Sequence, residues 1–224
     1  MQGKTVVVTG AFGTLGRAVA GLAAAKGAKV AMLDVAVRPD NPVRDAIALA
    51  VDLTKLDATT EAMRKVREAT GRIDAVLNIA GGFVWQTVTD GDEAAWERMF
   101  ALNLKTAYNT SRAALPHLIE TSGAIVNVGA NAALNAGAGM GAYAASKAGV
   151  HRLTESLAQE MKGRVRVNAV LPSIIDTAPN RADMPKADFS TWVKAEDLAK
   201  VMLFLASDDA RDVTGVLLPV MGRV

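Results

Sequence analysis

Short apolar runs alternate along the chain with longer stretches whose apolar residues recur at helical spacing. Thr5–Thr9 is a β-branched run closed by Gly10, and Thr14–Lys26 follows with Leu15, Val19 and Leu22 on one side and Gly27 as its stop. The same alternation predicts strands at Ala28–Asp34, Ala46–Val51, Ile73–Ile79, Ala124–Val128, Val165–Leu171 and Val213–Val220. It predicts helices over Thr54–Thr70, about 92–120 with Pro116 near its end, about 142–161, and Ala195–Ala206. Pro39 and Pro42 lie in a connection too short for a full helix, so a loop or single turn is expected there. The stretch Pro172–Thr191 has three prolines and no clear period, and reads as a loop. Strands alternating with helices predict one α/β domain over 1–224, a doubly wound parallel sheet of about seven strands with right-handed crossovers.

Composition narrows the chemistry. Half the residues are hydrophobic and only 4% are aromatic, so Ala, Val, Leu and Gly do most of the packing, as in sheets buried on both faces. The net charge is +2, which makes no electrostatic case for nucleic acid or an anionic membrane. No apolar run reaches the roughly 18 residues of a membrane span, and the start does not read as a signal peptide. A cytoplasmic location is the expectation. There is no Cys, which excludes disulfides, zinc thiolates and thiol catalysis, and His117 and His151 are far apart, so no metal centre is expected.

The turn Thr9-Gly10-Ala-Phe-Gly13-Thr14-Leu15-Gly16 joins the first strand to the first helix. Glycines there allow a sharp turn and close approach of a pyrophosphate, which the free N–H groups of the helix N-terminus attract. A Gly-rich turn alone could be no more than a tight turn; its place at the first strand–helix junction is what points to a dinucleotide. Asp34 ends the second strand about 20 residues on, where a carboxylate can accept from adenosine ribose hydroxyls and repel a 2′-phosphate. NAD(H) is therefore favoured, and Arg38 and Arg44 keep NADP(H) open. Asp52-Leu53 and Asn78-Ile-Ala80-Gly81 fall at later strand ends, where open α/β sheets bind ligands; Asp52 is placed at the adenine and Ala80-Gly81 at the ribose.

Tyr143 and Lys147 are four residues apart and share a helix face. A neighbouring ammonium should lower the phenol pKa from about 10 and make Tyr143 a proton donor to a substrate accepting hydride. Such a pair arises often by chance on a helix surface; its place behind a complete nucleotide-binding half is what gives it weight.

With these residues the chain resembles the short-chain dehydrogenase/reductase family over essentially its whole length. The resemblance implies a Rossmann fold, a nicotinamide cofactor and a Tyr143–Lys147 relay. It implies that Asn103 holds a relay water near Lys147, and that Pro172, Ile175 and Thr177 lie on the loop at the nicotinamide, with Ser173 where a Gly is usual. It also implies a homodimer or homotetramer through the two long helices. The family's catalytic Ser precedes its Tyr by 13 residues, and that position here is Ala130. Losing one such donor typically costs roughly 2.7–4 kcal/mol where charge develops strongly. Asn131 or a water is one replacement. A substrate that needs less help is the other, as in the dihydropteridine reductase branch, which the runs Gly129–Leu134, Gly139–Tyr143 and Asp176–Trp192 resemble. The expectation is an NADH-dependent reductase of a conjugated cyclic C=N or quinonoid compound such as dihydropterin, with Phe83, Ala130, Asn131, Met140 and Trp192 against it. The alternatives are an alcohol dehydrogenase or carbonyl reductase, and a non-catalytic NAD-binding protein. Trp192 and Phe189 could equally pin the 172–194 loop to the core. His151 reads as a packing or interface histidine.

Overall fold

The computed structural model describes residues 1–35 and 43–224. Seven parallel strands form one sheet in the order β3-β2-β1-β4-β5-β6-β7. They are β1 (Thr5–Thr9), β2 (Lys29–Asp34), β3 (Ile47–Ala50), β4 (Ala75–Asn78), β5 (Ala124–Val128), β6 (Arg166–Pro172) and β7 (Leu217–Val220). The helices are α1 (Thr14–Ala25), α2 (Leu56–Thr70), α3 (Glu93–Met99), α4 (Thr106–Thr121), α5 (Gly141–Glu160), α6 (Ala178–Asp183) and α7 (Ala195–Ala206).

Strand alternation sends side chains to two separate cores. Val6 and Val8 of β1 join Met32, Leu77, Leu198 and Met202 under α1 and α7. Val7, between them, joins Leu33, Val76, Met63, Leu118 and Ile125 under α2 and α4. A strand covered on both faces has no polar face to show, which is why all five β1 residues are buried. The edge strand β7 carries Pro219, a residue that suits an edge because it cannot donate to a ladder. Strand order reverses between β1 and β4, so their carboxyl ends open a crevice, the usual ligand position in such sheets.

Three expectations change. The single helix over 92–120 is α3, a π-helical segment Phe100–Lys105, and α4 in unbroken succession. Wide π turns interrupt a helix locally and recur at functional sites, and this one carries Asn103. The 172–191 stretch contains α6, N-capped by Thr177, and a 3-10 turn at Phe189–Thr191. Residues 213–216 precede β7 instead of belonging to it. The turn expected at Pro39 and Pro42 lies outside the described residues.

Candidate active site

The Gly-rich turn is shaped first by its own packing. Gly10 has φ +59°, and a Cβ there would lie 2.9 Å from the Ala80 Cα. A Cβ on Gly16 would lie 2.2 Å from the Gly10 carbonyl oxygen, so α1 closes directly onto the turn. Gly13 differs: a Cβ there meets nothing closer than 3.4 Å. Packing therefore requires Gly10 and Gly16, whereas Gly13 keeps open the space in front of the helix. Gly13 N-caps α1 without a side-chain hydrogen bond, and no acidic residue stands in the first turn. An exposed, uncapped N-terminus of this kind fits a dinucleotide pyrophosphate. An open cavity of about 430 Å³ brings Thr14 of this turn together with Asp176, Thr177, Arg181 and Lys194. The Gly-rich turn and the 172–194 loop thus border one cleft.

Asp34 does two things at the end of β2. Its Oδ2 accepts the Phe12 N–H at 3.0 Å and its Oδ1 accepts the Val35 N–H at 2.8 Å. The carboxylate braces the Gly-rich turn while standing half-buried at the crevice. Arg38 lies outside the described residues, and Arg44 is exposed in the turn before β3. Asp52 is exposed and accepts both the Thr54 N–H at 2.9 Å and the Thr54 hydroxyl at 2.6 Å, bonds that hold its pKa below the usual carboxylate range. Leu53 is buried, and its carbonyl accepts from the buried Asn109 at 2.9 Å.

Asn78 turns inward. Its Nδ2 donates to Asn127 Oδ1 at 2.8 Å and Ser111 Oγ at 3.1 Å, and Asn127 donates onward to Thr154. It ties β4 to β5, α4 and α5, so the side chain expected at the cofactor is a brace for the strand end. The turn after β4 is held by the buried Thr9, whose Oγ1 accepts the Ile79 and Ala80 N–H groups at 3.0 and 3.1 Å. Sequence reasoning gave Thr9 and Asn109 no site role; each is an ordinary polar residue whose importance depends on a partner about 55–70 positions away.

Tyr143 and Lys147 do share one face of α5; Tyr143 is half-buried and Lys147 buried. Lys147 is 5% exposed, and its Nζ donates to the Val128 carbonyl at 2.7 Å. Burial lowers its pKa to about 8. The Tyr143 phenol is pushed the other way, up to about 12, by burial. The expected lowering by Lys147 is absent: burial of the phenol alone sets the direction of the shift. The Phe83 ring stands edge-on to Tyr143 with centroids 5.0 Å apart.

Asn103 joins three pieces of the site. Its Oδ1 accepts the Gly82 N–H at 2.9 Å, and its Nδ2 donates to Ser146 Oγ at 2.9 Å and the Gly82 carbonyl at 3.1 Å. A Cβ on Gly81 would sit 2.5 Å from Asn103 Oδ1 and 3.4 Å from Lys147 Nζ, so this glycine is what lets both atoms approach one point. Ala130 is 3% exposed, and its N–H is already given to His151 Nε2 at 3.3 Å. Asn131 and Met140 are half-buried beside the site. Trp192 is not at the crevice surface: it is 5% exposed and packs against Phe189 at 4.8 Å, so it anchors the loop. Pro172 ends β6, Ser173 donates to Met221 O at 2.6 Å, and Ile175 O accepts from Asn180 at 2.8 Å. Among the described residues no group of three His, Cys, Asp or Glu side chains converges as a metal site, and no helix is long and apolar enough to cross a membrane.

Residues 4–188 match the family model described as short chain dehydrogenase. The chain belongs to the short-chain dehydrogenase/reductase family. It is 33% identical to the 3-oxoacyl-[acyl-carrier-protein] reductase of Thermotoga maritima, over 99% of this chain and 98% of that protein. It is 34% identical to the meso-2,3-butanediol dehydrogenase of Serratia marcescens, over 98% of this chain and 93% of that one. Among solved structures, the carveol dehydrogenase of Mycobacterium avium in complex with NAD superposes with TM-score 0.89 at 28% identity, covering 99% of this chain and 97% of that one. The chain is therefore a family oxidoreductase that acts on a small molecule with NAD(P). None of these three relatives is named as a pterin enzyme.

Proposed function

We propose that the protein is an NADH-dependent reductase whose substrate is a flat conjugated ring, a cyclic C=N or quinonoid compound such as a dihydropterin. One observation carries this reading. Where the family resemblance places a serine donor, the chain has the Ala130 methyl, and the Ala130 N–H beside it is already engaged by His151. Neither group can steady a localised oxyanion. Delocalisation of incoming charge over a conjugated ring lessens that need.

When bound, the cofactor supplies the hydride. Tyr143 supplies the proton, and with its pKa near 12 the phenol is fully protonated at neutral pH, ready to donate rather than accept. Lys147 holds a positive charge behind it, and Asn103 fixes the Gly81–Gly82 turn and Ser146 around the pair. Phe83, 48% exposed, offers a ring face beside Tyr143 for an aromatic substrate, and the half-buried Met140 and Asn131 stand at the start of α5 and next to Ala130. Asp34 selects NADH over NADPH by repelling a 2′-phosphate. Two copies pair through α4 and the π-helical segment, where Phe100, Tyr108 and Ile119 are exposed, a point that light scattering tests.

A second reading has its own support. The named relatives act on alcohols and carbonyl compounds, and Asn131 adjoins Ala130 with a side-chain amide able to donate. On that reading the protein is an ordinary carbonyl reductase or alcohol dehydrogenase. Initial rates under NADH with quinonoid dihydropterin and with 2,3-butanedione separate the two. Faster turnover of the dihydropterin is expected; turnover of the dione alone overturns the first reading in favour of the second.

A further inference from the structure

His151 has an engagement that neither its packing nor the Tyr143–Lys147 pair explains. It lies four residues past Lys147 on α5 and is 1% exposed, so it faces inward and not toward an interface. Its Nε2 accepts the Ala130 N–H at 3.3 Å, two residues past the Val128 carbonyl that ends β5 and receives Lys147 Nζ at 2.7 Å. The residue between is Gly129, where a Cβ would lie 2.5 Å from His151 Nε2. The missing Cβ is what admits the imidazole. One face of α5 thus grips the end of β5 twice, with Lys147 on a carbonyl and His151 on an amide.

An imidazole nitrogen that accepts a hydrogen bond carries no proton, so the neutral ring must hold its proton on Nδ1. We propose that His151 is a positioning residue of the active site: as the neutral Nδ1–H tautomer it fixes Ala130 and, through the same strand end, the Val128 carbonyl that holds Lys147. Protonation would set a donor at Nε2 against the Ala130 donor and add a positive charge near Lys147. The charges that bear on the ring are Lys147 and Arg152, both from its own helix. From β5 it meets the Gly129–Ala130 backbone, and from β6 Leu171 packs at the same corner. Burial first, and these two cations second, keep its pKa below the ordinary 6.5. The strand end is therefore locked at neutral pH and released only in acid.

The test uses the full chain and the variants His151→Gln, whose side-chain oxygen can replace the acceptor, and His151→Leu, which cannot. With only two histidines, ¹⁵N-histidine labelling gives two imidazoles, and His117→Gln identifies which is which. The expected spectrum shows His151 as the Nδ1–H tautomer, resisting protonation to below 6.5. The expected kinetics, on whichever of 2,3-butanedione and quinonoid dihydropterin turns over faster, show an acid limb in wild type that His151→Gln removes while keeping turnover. His151→Leu loses about 10- to 100-fold in kcat, the scale of a misplaced catalytic group, with the KM for NADH little changed. An Nε2–H tautomer, ordinary titration near 6.5, or an acid limb unchanged in His151→Gln overturns the proposal. The imidazole spectrum needs no substrate, so it decides the matter even where the substrate reading fails or His151→Leu does not fold.

Discussion

Lys147 is held as a buried cation, and the fold must bear a cost for it that changes with pH. Burial lowers its pKa from 10.5 to about 8, so keeping the charge at pH 7 costs about 3 kcal/mol relative to the unfolded chain. Lys147→Met removes the charge and with it this net cost, so the variant should be at least as stable as wild type near neutral pH. The signal lies in the pH dependence. The folded pKa is below the unfolded one, so between about 8 and 10.5 the unfolded chain binds more protons and stability rises with pH. The stability linked to Lys147 is complete above 10.5 and is lost as pH falls through about 8. Urea unfolding of both proteins should show wild type gaining about 2–3 kcal/mol on Lys147→Met between about pH 7 and about pH 10. The same group should give kcat/KM an alkaline limb near 8, since that ratio reports the free enzyme. A stability difference flat across this range refutes the idea that Lys147 is a desolvated cation.

Other substitutions probe the remaining parts. Asp34→Ser should weaken NADH binding and tighten NADPH binding, each by about tenfold, in a fluorescence titration, since it removes the carboxylate that faces the 2′ position. Gly81→Ala should cost about 1–3 kcal/mol of stability and about 10- to 100-fold in kcat, because its Cβ would lie 2.5 Å from Asn103 Oδ1. Ala130→Ser should raise kcat on 2,3-butanedione by about 100-fold while leaving dihydropterin turnover nearly unchanged, because only the ketone needs a local donor.

The sheet was legible because burial on both faces writes itself as short runs of Val, Ala, Leu and Ile. β1 and β5 fall where those runs fall, and Gly27 and Gly71 stop their helices with φ +80° and +83°. The π-helical segment at Asn103 left no periodic trace, since a single wide turn hardly shifts the pattern around it. The short α6 was hidden because Pro179, read with its neighbours as a breaker, is one of its opening residues. At the site, residue identity indicated chemistry but not direction. Asn78 sits at the expected strand end with its side chain turned inward, and Trp192 is buried under its loop. His151 and Gly129 could be paired only once β5 and α5 were packed together. The sign of the Tyr143 pKa shift depended on how deeply the fold buries the phenol, which spacing alone cannot say.

Tyr143 as the proton donor is the role on which the proposed chemistry rests. Single-turnover oxidation of NADH by wild type and Tyr143→Phe, with quinonoid dihydropterin and with 2,3-butanedione, measures that role with the edge-on ring contact to Phe83 left in place. A loss of about 10²- to 10⁴-fold on the better substrate is expected, with NADH binding retained. A Tyr143→Phe protein that oxidises NADH at the wild-type rate contradicts it.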